Sequence, residues 1–291
     1  ADRLRVKPEF GSPQTLGISD KADSAETIIT YMNARARLEK LPTDQATSLH
    51  ETDRITRSFL AAVSFMVQDT ARDPSYVHNH LLSYLAQDIL QSSIALTTLA
   101  LEGLQNVAKR ELRFIVEASL KICFVQQKQY QSYIDEKITN FQNELSSQRI
   151  SIKNNIEIFM IPREQRDDFV EEVGRVYGQT SNYVHLTPSQ IRERVAAVDR
   201  GTTAGKETAA DIDELNMLIS RALAVSLVLL FHSVPPYVAG DWLVDDNGTS
   251  VEWYFTFSRF IAGVDSYFDY KHERQAQLAD IQKSRKSAIR F

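Results

Sequence analysis

The sequence predicts an all-α protein, an antiparallel bundle of long helices with extra helices at its ends. Three observations support this class. The 291 residues include only ten glycines and eight prolines, fewer than turn-rich β folds usually need. Apolar residues make up 43% of the chain and recur at helical spacing over long stretches. Several of these stretches begin with a capping pattern that contains Asp or Thr.

Five helices are predicted in the first half, over about residues 24–40, 44–69, 74–101, 104–130 and 132–149. Asp23 begins a capping-box pattern at the start of the first helix, and Pro42 breaks the chain after that helix ends near Lys40. Pro74 fits the first position of the third helix. Gly103 marks a break between the third and fourth helices.

Four further helices are predicted in the second half, over about residues 163–186, 188–198, 212–233 and 251–288. Thr187 and Pro188 supply an N-cap and a first helical position, and Gln190 completes a capping box. Because a residue before proline avoids the α conformation, the preceding helix should end near Leu186. The remaining segments, residues 149–161, 199–211 and 241–250, are predicted loops. The first contains a strand-like run, and the last contains an Asn-Gly turn.

The chain divides into four predicted segments. They are a leader that includes a tag (1–20), N-terminal helices (21–72), a helical core (73–240) and a C-terminal helical extension that is first aromatic and then basic (241–291). The leader is assigned because Glu9-Phe10-Gly11-Ser12 reads as translated cloning-site sequence.

Charge is distributed unevenly along the chain. Residues 271–291 contain six Lys or Arg and two acidic residues, which gives them a net charge of +4. Since the whole chain has a net charge of −5, residues 1–270 carry −9. The body is therefore a poor general binder of nucleic acid. The tail could contact RNA, an acidic partner or a membrane surface, or it could be a solvated helical end.

One apolar run, Ala222–Gly240, contains no Asp, Glu, Lys or Arg. Its dense apolar part stops at Phe231, well short of the roughly 20 residues that a membrane span needs. We therefore expect a buried core helix and no transmembrane segment. The single cysteine, Cys123, lies in an apolar helical stretch, which favours a buried thiol, excludes an intrachain disulfide and makes a cytoplasmic location the expectation.

Two groups of residues could carry chemistry. Lys109, Arg113, Glu117 and Lys121 follow one another at four-residue spacing, which places them on one helix face. Such a face is either a solvated or structural surface or a partly buried polar site.

Tyr177, Ser181 and His185 repeat the same spacing on the helix that ends before Thr187. A histidine at a helix C-terminus is stabilised in its charged form by the helix dipole, which explains His185 without catalysis. The alternative is that His185 acts as a general acid or base.

Metal and nucleotide sites are not expected, and no cofactor is predicted. His78 and His80 would point about 200° apart on a helix and could not share one ion. The segment 201–206, GTTAGK, ends like a phosphate-binding loop but lacks the spacing, and Glu207 follows where a hydroxyl is needed.

Two stretches together resemble a known superfamily. AKRELRFIVEASLKICFV (108–125) and YGQTSNYVHLTPSQI (177–191) are similar to the Arg-x3-Glu helix and the Ser-x-Tyr-x-His helix end of HEPN-like bacterial families, a similarity that covers residues 84–191. The resemblance implies an antiparallel helical bundle, often a homodimer, that acts on RNA in a defence or stress system. Many such proteins are metal-independent ribonucleases.

The resemblance also implies roles for the two groups of residues. His185 would move the proton of a ribose hydroxyl and Arg113 would stabilise the charge of the phosphorane, with Glu117 beside it. Ser181, Tyr183, Lys109 and Lys121 would contact the substrate. The chain departs from the ribonuclease motif, because residues 178–180 are Gly, Gln and Thr, where an arginine would precede His185.

The alternative is a non-enzymatic protein–protein interaction module. In that case the Arg, Glu, Ser, Tyr and His residues fix how the helices pack. The aromatic segment 253–260 would then dock a protein partner or a second copy.

Overall fold

The structure is a computed structural model that describes residues 41–72, 78–147, 155–184, 187–199 and 207–291. These ranges contain ten complete α-helices and four short 3-10 helices, and their only β-type pairing is an isolated bridge between Val244 and Ser250. The all-α prediction is confirmed. The α-helices are α1 Thr43–Thr70, α2 Leu81–Leu101, α3 Gln105–Lys128, α4 Ile134–Ser147, α5 Arg166–Ser181, α6 Pro188–Asp199, α7 Ala209–Phe231, α8 Pro236–Leu243, α9 Arg259–Ser266 and α10 Leu278–Ala288.

Four long helices form the centre of the bundle. Helix α7 packs along α1 and α3, and α2 packs along the same two helices. Helix α5 covers α3 and α7, and α8 packs on α1. One hydrophobic core runs through all of these helices and continues into the C-terminal segment as far as Phe268.

Helix α7 supplies the most continuous part of this core. Every residue from Ala222 to Phe231 is buried. Among the described residues it is the one helix long and apolar enough to cross a membrane, but 83% of its most apolar stretch is covered by the rest of the protein. The prediction of a buried core helix is confirmed. Cys123 is also fully buried, and this burial raises the pKa of its thiol far above the ordinary range, as expected of an inert core residue.

Gly103 ends α2 as predicted. Its φ of 69° lies in the left-handed region that favours glycine. The Gly103 N–H donates to the carbonyl of Ala100, and the Leu104 N–H donates to the carbonyl of Leu99. These two bonds form a Schellman motif, and the three-residue connection makes α2 and α3 antiparallel neighbours.

The Asn-Gly turn is also present, and its flanks pair only through the isolated bridge between Val244 and Ser250. Gly248 has a φ of 79°, and its N–H donates to the carbonyl of Asp245. A Cβ at this position would lie 2.3 Å from the carbonyl oxygen of Glu273, so the turn packs directly against the C-terminal segment. Glycine is therefore required both for the turn and for this close approach.

The predicted single helix over residues 251–288 is wrong. The chain instead forms the 3-10 helices Tyr254–Phe257, Tyr267–Tyr270 and His272–Gln277 around α9 and α10. Extended backbone at Ser258 and Lys271 breaks the segment into pieces. These breaks let aromatic rings on several sides of the chain reach one core, which a straight helix could not do.

The aromatic part of this segment is inside the protein. Trp253, Phe255 and Phe260 are 7%, 0% and 4% exposed and belong to the hydrophobic core. These three rings are therefore not available to a partner, whereas Tyr254 and Phe257 of the same segment are only half-buried.

Part of the basic tail is also internal. Arg274 is fully buried and pairs with Asp265 and Asp269, and Arg285 pairs with the same two carboxylates. Arg290 lies over the ring of Phe257. The positive charge available to an external ligand is smaller than the sequence indicates, because two of the six cations neutralise internal acids.

Several predictions fall outside the described residues. These are the leader and first helix (1–40), the start of the third helix at Pro74, the strand-like residues 149–154 and the loop residues 200–206. Within the described residues, the helix that was predicted to begin at Pro74 corresponds to α2, and His80 is the N-cap of α2.

Candidate functional site

The charged residues of α3 lie on one face, as their spacing predicts. Arg113 Nη1 is 2.7 Å from Glu117 Oε2, and Lys121 forms an ion pair with the other carboxylate oxygen. Burial alone raises the pKa of Glu117, but the hydrogen bond from Lys121 and the charge of Arg113 outweigh it and hold the pKa below its ordinary value. Glu117 is therefore an ionised carboxylate between two cations and a poor proton acceptor.

The last turn of α5 packs against this face through Arg113. The Nε–H of Arg113 donates to Ser181 Oγ at 2.8 Å, and its guanidinium lies 3.4 Å from the ring centroid of Tyr177. Ser181 in turn donates to the carbonyl of Tyr177 at 2.6 Å. Arg113 thus joins α3 to the end of α5 by a hydrogen bond and a stacked cation–π contact.

Tyr183, in the turn after α5, connects α3 to α6. Lys109 Nζ donates to the Tyr183 hydroxyl at 3.0 Å, and the hydroxyl donates to Glu193 Oε2 at 2.7 Å. Lys109 also lies 3.6 Å from the Glu193 carboxylate. A further bond runs from Arg110 Nε to the carbonyl of Tyr183 at 2.7 Å.

The electrostatic surroundings keep Tyr183 protonated. Burial raises the pKa of its phenol, and the hydrogen bond to the Glu193 carboxylate and the charges of Glu193 and Glu214 raise it further, far above the ordinary value. The phenol is consequently a hydrogen-bond donor at physiological pH and does not act as a base.

The six described residues of the predicted site fall into two sets of contacts between α3 and the chain after it, which together we call the α3–α5–α6 network. The first set joins Arg113, Glu117, Lys121 and Ser181, with Tyr177 as an added partner. The second joins Lys109 and Tyr183, with Arg110 and Glu193 as added partners.

His185 lies outside the described residues, so its predicted place in this site is not observed. The helix that was predicted to contain it ends earlier than expected. Helix α5 stops at Ser181, and Asn182 to Val184 form a turn. After Ser181 the backbone bonds become those of tight turns, from the Tyr183 N–H to the Thr180 carbonyl and from the Val184 N–H to the Ser181 carbonyl, and the Tyr183 side chain meets α3 and α6.

Sequence reasoning missed two members of the network, Arg110 and Glu193. Arg110 precedes Phe114 on α3 and appears in sequence as one more exposed cation. Glu193 lies between two arginines, Arg192 and Arg194, a pattern typical of a solvated helix. Neither residue shows a periodic signal, so only the folded arrangement of the turn reveals them.

The network leaves little for a substrate to use. The side chains of Arg113 and Lys109 are only 11% and 13% exposed, and both cations already have anionic or hydroxyl partners within the protein. Among the described members of the network, the two carboxylates are paired with cations and the phenol is protonated. None of these described groups is suited to act as a general base.

Two histidines elsewhere are buried and neutral. His80 Nδ1 accepts from the Leu82 N–H at 2.9 Å while Nε2 donates to the Ser233 carbonyl at 2.7 Å. This arrangement uses both ring nitrogens, and it shows that His80 is the cap of α2 rather than half of a His-x-His metal pair. In the described part of the chain, no group of three or more His, Cys, Asp or Glu side chains is placed to hold a metal ion.

His232 is held in the same way with the opposite tautomer. Its Nε2 accepts from the Met160 N–H at 3.0 Å, and its Nδ1 donates to the Val228 carbonyl at 2.7 Å. Burial lowers the pKa of each ring to about 4. The hydrogen bond that each ring donates to a carbonyl raises the pKa, and the charge of Lys137 near His80 or of Arg166 near His232 lowers it further. Both rings are thus structural.

No protein-family model matches the chain, and no curated protein or solved structure is significantly similar to it. The class that the fold defines is an all-α helical bundle with a polar network between α3, α5 and α6. The resemblance to HEPN-like families rests on the sequence motifs alone.

Proposed function

We propose that this protein is a non-enzymatic interaction module that associates with a second copy of itself through helix α6. The observation that supports this proposal is the orientation of α6. Glu193 of this helix is hydrogen-bonded to Tyr183 in the body of the protein, while Ile191 and Val195 are exposed at the surface.

Glu193 connects α6 to the body of the protein. Its side chain, which is 52% exposed, accepts from the Tyr183 hydroxyl and lies 3.6 Å from Lys109, so Glu193 is on the side of α6 nearest α3. Ile191 and Val195 stand two residues before and after Glu193, which places them about 160° away on the opposite side. They are 48% and 55% exposed, and Val184 in the preceding turn is 48% exposed.

An ordinary surface helix has the reverse arrangement, with its apolar stripe on the core. A second copy that presents the same stripe would remove both stripes from water, and such a self-complementary contact is what a two-fold dimer requires. On this proposal the α3–α5–α6 network is the device that holds α6 in position, and Arg113, Glu117 and Tyr183 have structural roles.

The proposal predicts that the wild-type protein sediments as a dimer in the micromolar range and that Ile191→Asp with Val195→Asp makes it a monomer. Placing two carboxylates in an apolar contact costs more than the contact contributes. Sedimentation velocity measures the change, and thermal unfolding shows that the variant is folded. Ile138→Asp on α4, where Ile138 is 45% exposed, is the matched control and should remain dimeric. A monomeric wild-type protein would rule out the proposal.

A second candidate function is metal-independent RNA cleavage, as the HEPN-like resemblance implies for a defence or stress system. It is favoured by the contacts of Lys109, Arg110 and Arg113 with Ser181 and Tyr183, just before His185 in the chain, and by the four cations that stand against two carboxylates in the network.

This candidate predicts that purified protein cleaves tRNA or single-stranded RNA in the presence of EDTA, and that His185→Ala removes the activity by at least about a hundredfold. Arg113→Ala should remove it as well, whereas Arg259→Ala, which affects an exposed cation on α9, should not. An inert wild-type protein would exclude cleavage and leave the interaction module as the proposal.

A further inference from the structure

The last three residues of the sequence, the 289–291 peptide, lie on the body of the protein in an extended conformation. Their backbone leaves α10 with φ −59° and ψ 129°. The N–H groups of Arg290 and Phe291 both donate to the Phe257 carbonyl, at 2.8 and 3.1 Å. The Phe291 carbonyl in turn accepts from the Arg259 N–H at 2.8 Å. Since these three bonds join backbone atoms only, another extended chain could make them as well.

Two aromatic rings of the body receive the side chains of this peptide. The guanidinium carbon of Arg290 lies 4.0 Å from the ring centroid of Phe257. The ring centroid of Phe291 lies 6.1 Å from that of Tyr254. The centroids of Tyr254 and Phe257 are themselves 5.7 Å apart, so the two rings present one surface to a cation followed by an aromatic ring.

Tyr254, Phe257 and Arg259 form what we call the peptide site. All three are half-buried while the 289–291 peptide is in place. The Tyr254 hydroxyl is bonded to Ser220 on α7 at 2.7 Å, which fixes this ring from below. Arg259 is the first residue of α9, so its N–H has no partner within that helix. The site is therefore built from groups that keep their positions when the peptide leaves.

The 289–291 peptide is a weakly anchored occupant of the site. Ile289 is 40% exposed, Arg290 is exposed and Phe291 is only half-buried. Because the peptide is tethered to α10, its effective concentration at the site is high and weak contacts are enough to keep it bound. A partner that makes the same contacts and adds others can displace it.

We propose that the peptide site binds an extended segment of a partner protein in which a basic residue is followed by an aromatic one, and that the 289–291 peptide occupies the site until the partner displaces it. Backbone bonds to Phe257 and Arg259 hold the segment in place. The ring of Phe257 selects the cation, and the ring of Tyr254 selects the aromatic residue. The proposal is independent of the self-association through α6.

The test compares the full chain with a shortened protein that ends at Ala288. The probe is a labelled, acetylated peptide of residues 287–291, Ser-Ala-Ile-Arg-Phe. Fluorescence anisotropy should show that the shortened protein binds this peptide about tenfold more tightly than the full chain, whose site is already occupied. A peptide with Met in place of Arg should bind the shortened protein about threefold more weakly, the effect of one exposed cation–π contact. A peptide with Ala in place of Phe should bind about tenfold more weakly.

Two variants of the shortened protein locate the site. Phe257→Leu keeps an apolar side chain but removes the ring, so it should abolish the preference for Arg over Met in the peptide. Phe114→Leu is the matched control, because Phe114 is a 42% exposed ring on α3, and it should keep the preference. Thermal unfolding shows whether each variant is folded. Phe291→Ala in the full chain keeps the backbone bonds of the tail, and it should bind the peptide with intermediate affinity even if the shortened protein does not fold.

The proposal fails if neither the shortened protein nor Phe291→Ala binds the peptide more tightly than the full chain does. It also fails if Phe257→Leu leaves the preference for Arg unchanged. A site that is filled by the 289–291 peptide of a second copy would make the full chain bind more probe when the protein is diluted, and that result would overturn the proposal too.

Discussion

Arg274→Met is expected to lower the free energy of unfolding by about 3–5 kcal/mol, the cost of breaking a buried ion pair by removing one partner. Arg274 is fully buried, and its guanidinium bonds Asp265 Oδ1 at 2.6 Å, the Asp265 carbonyl at 3.0 Å and Asp269 at 3.2 Å. Without it, two carboxylates share the single cation Arg285. One negative charge is then buried without compensation, and urea denaturation measures the loss.

Two further variants separate charge from packing. Arg274→Lys keeps the positive charge, but a lysine lacks the planar guanidinium that bonds both the carboxylate and the backbone carbonyl of Asp265. We therefore expect an intermediate loss of unfolding free energy. Lys283→Met removes an exposed cation from α10 in the same segment and should leave stability unchanged. If Arg274→Met unfolds at the same urea concentration as wild type, the network does not hold the C-terminal segment together.

The helices whose ends carry local chemical signals could be predicted from the sequence. Gly103 ends α2 in the left-handed conformation that glycine favours, and Thr187 caps α6 by accepting from the Gln190 N–H. One such signal was overlooked. Thr208 and Asp211 form a complete capping box, so α7 begins at Ala209 within a segment that sequence reasoning assigned to a loop.

The C-terminal segment could not be predicted because its conformation depends on distant contacts. Its aromatic and basic residues are compatible with a long helix, and no proline interrupts them. The breaks at Ser258 and Lys271 can be explained only by the distant contacts that they make possible. The break at Lys271 lets Arg274 and Arg285 reach Asp265 and Asp269, a set of interactions between residues that helical spacing alone does not bring together.

The candidate site was predictable where spacing determines it and unpredictable where a turn determines it. Four-residue spacing on α3 correctly placed Arg113 beside Glu117. The meeting of α3 with Ser181 was expected from the resemblance, and it is present. The contact of Tyr183 with Glu193 depends on the conformation of the turn between α5 and α6, which periodicity does not describe.

Acidification from pH 7.5 to pH 5 is expected to lower the free energy of unfolding by about 4 kcal/mol through His80 and His232 together. Each ring has a pKa of about 4 in the folded protein and the ordinary value of 6.5 when unfolded. Between these values the unfolded chain binds protons that the folded protein does not. The stabilisation is therefore nearly complete above about pH 6.5 and is lost as the pH falls towards 4. At pH 5 the loss is about 2 kcal/mol for each ring.

The hydrogen bonds of the two rings explain why protonating either ring costs free energy. Protonation would place a ring N–H against the N–H of Leu82 at His80 and against that of Met160 at His232. Urea denaturation at several pH values measures the slope, which should flatten in His80→Gln with His232→Gln even if that variant is less stable at every pH. His50→Gln, at an exposed position of α1, should keep the wild-type slope. A double variant with an unchanged slope would show that other groups, the carboxylates foremost, cause the acid sensitivity.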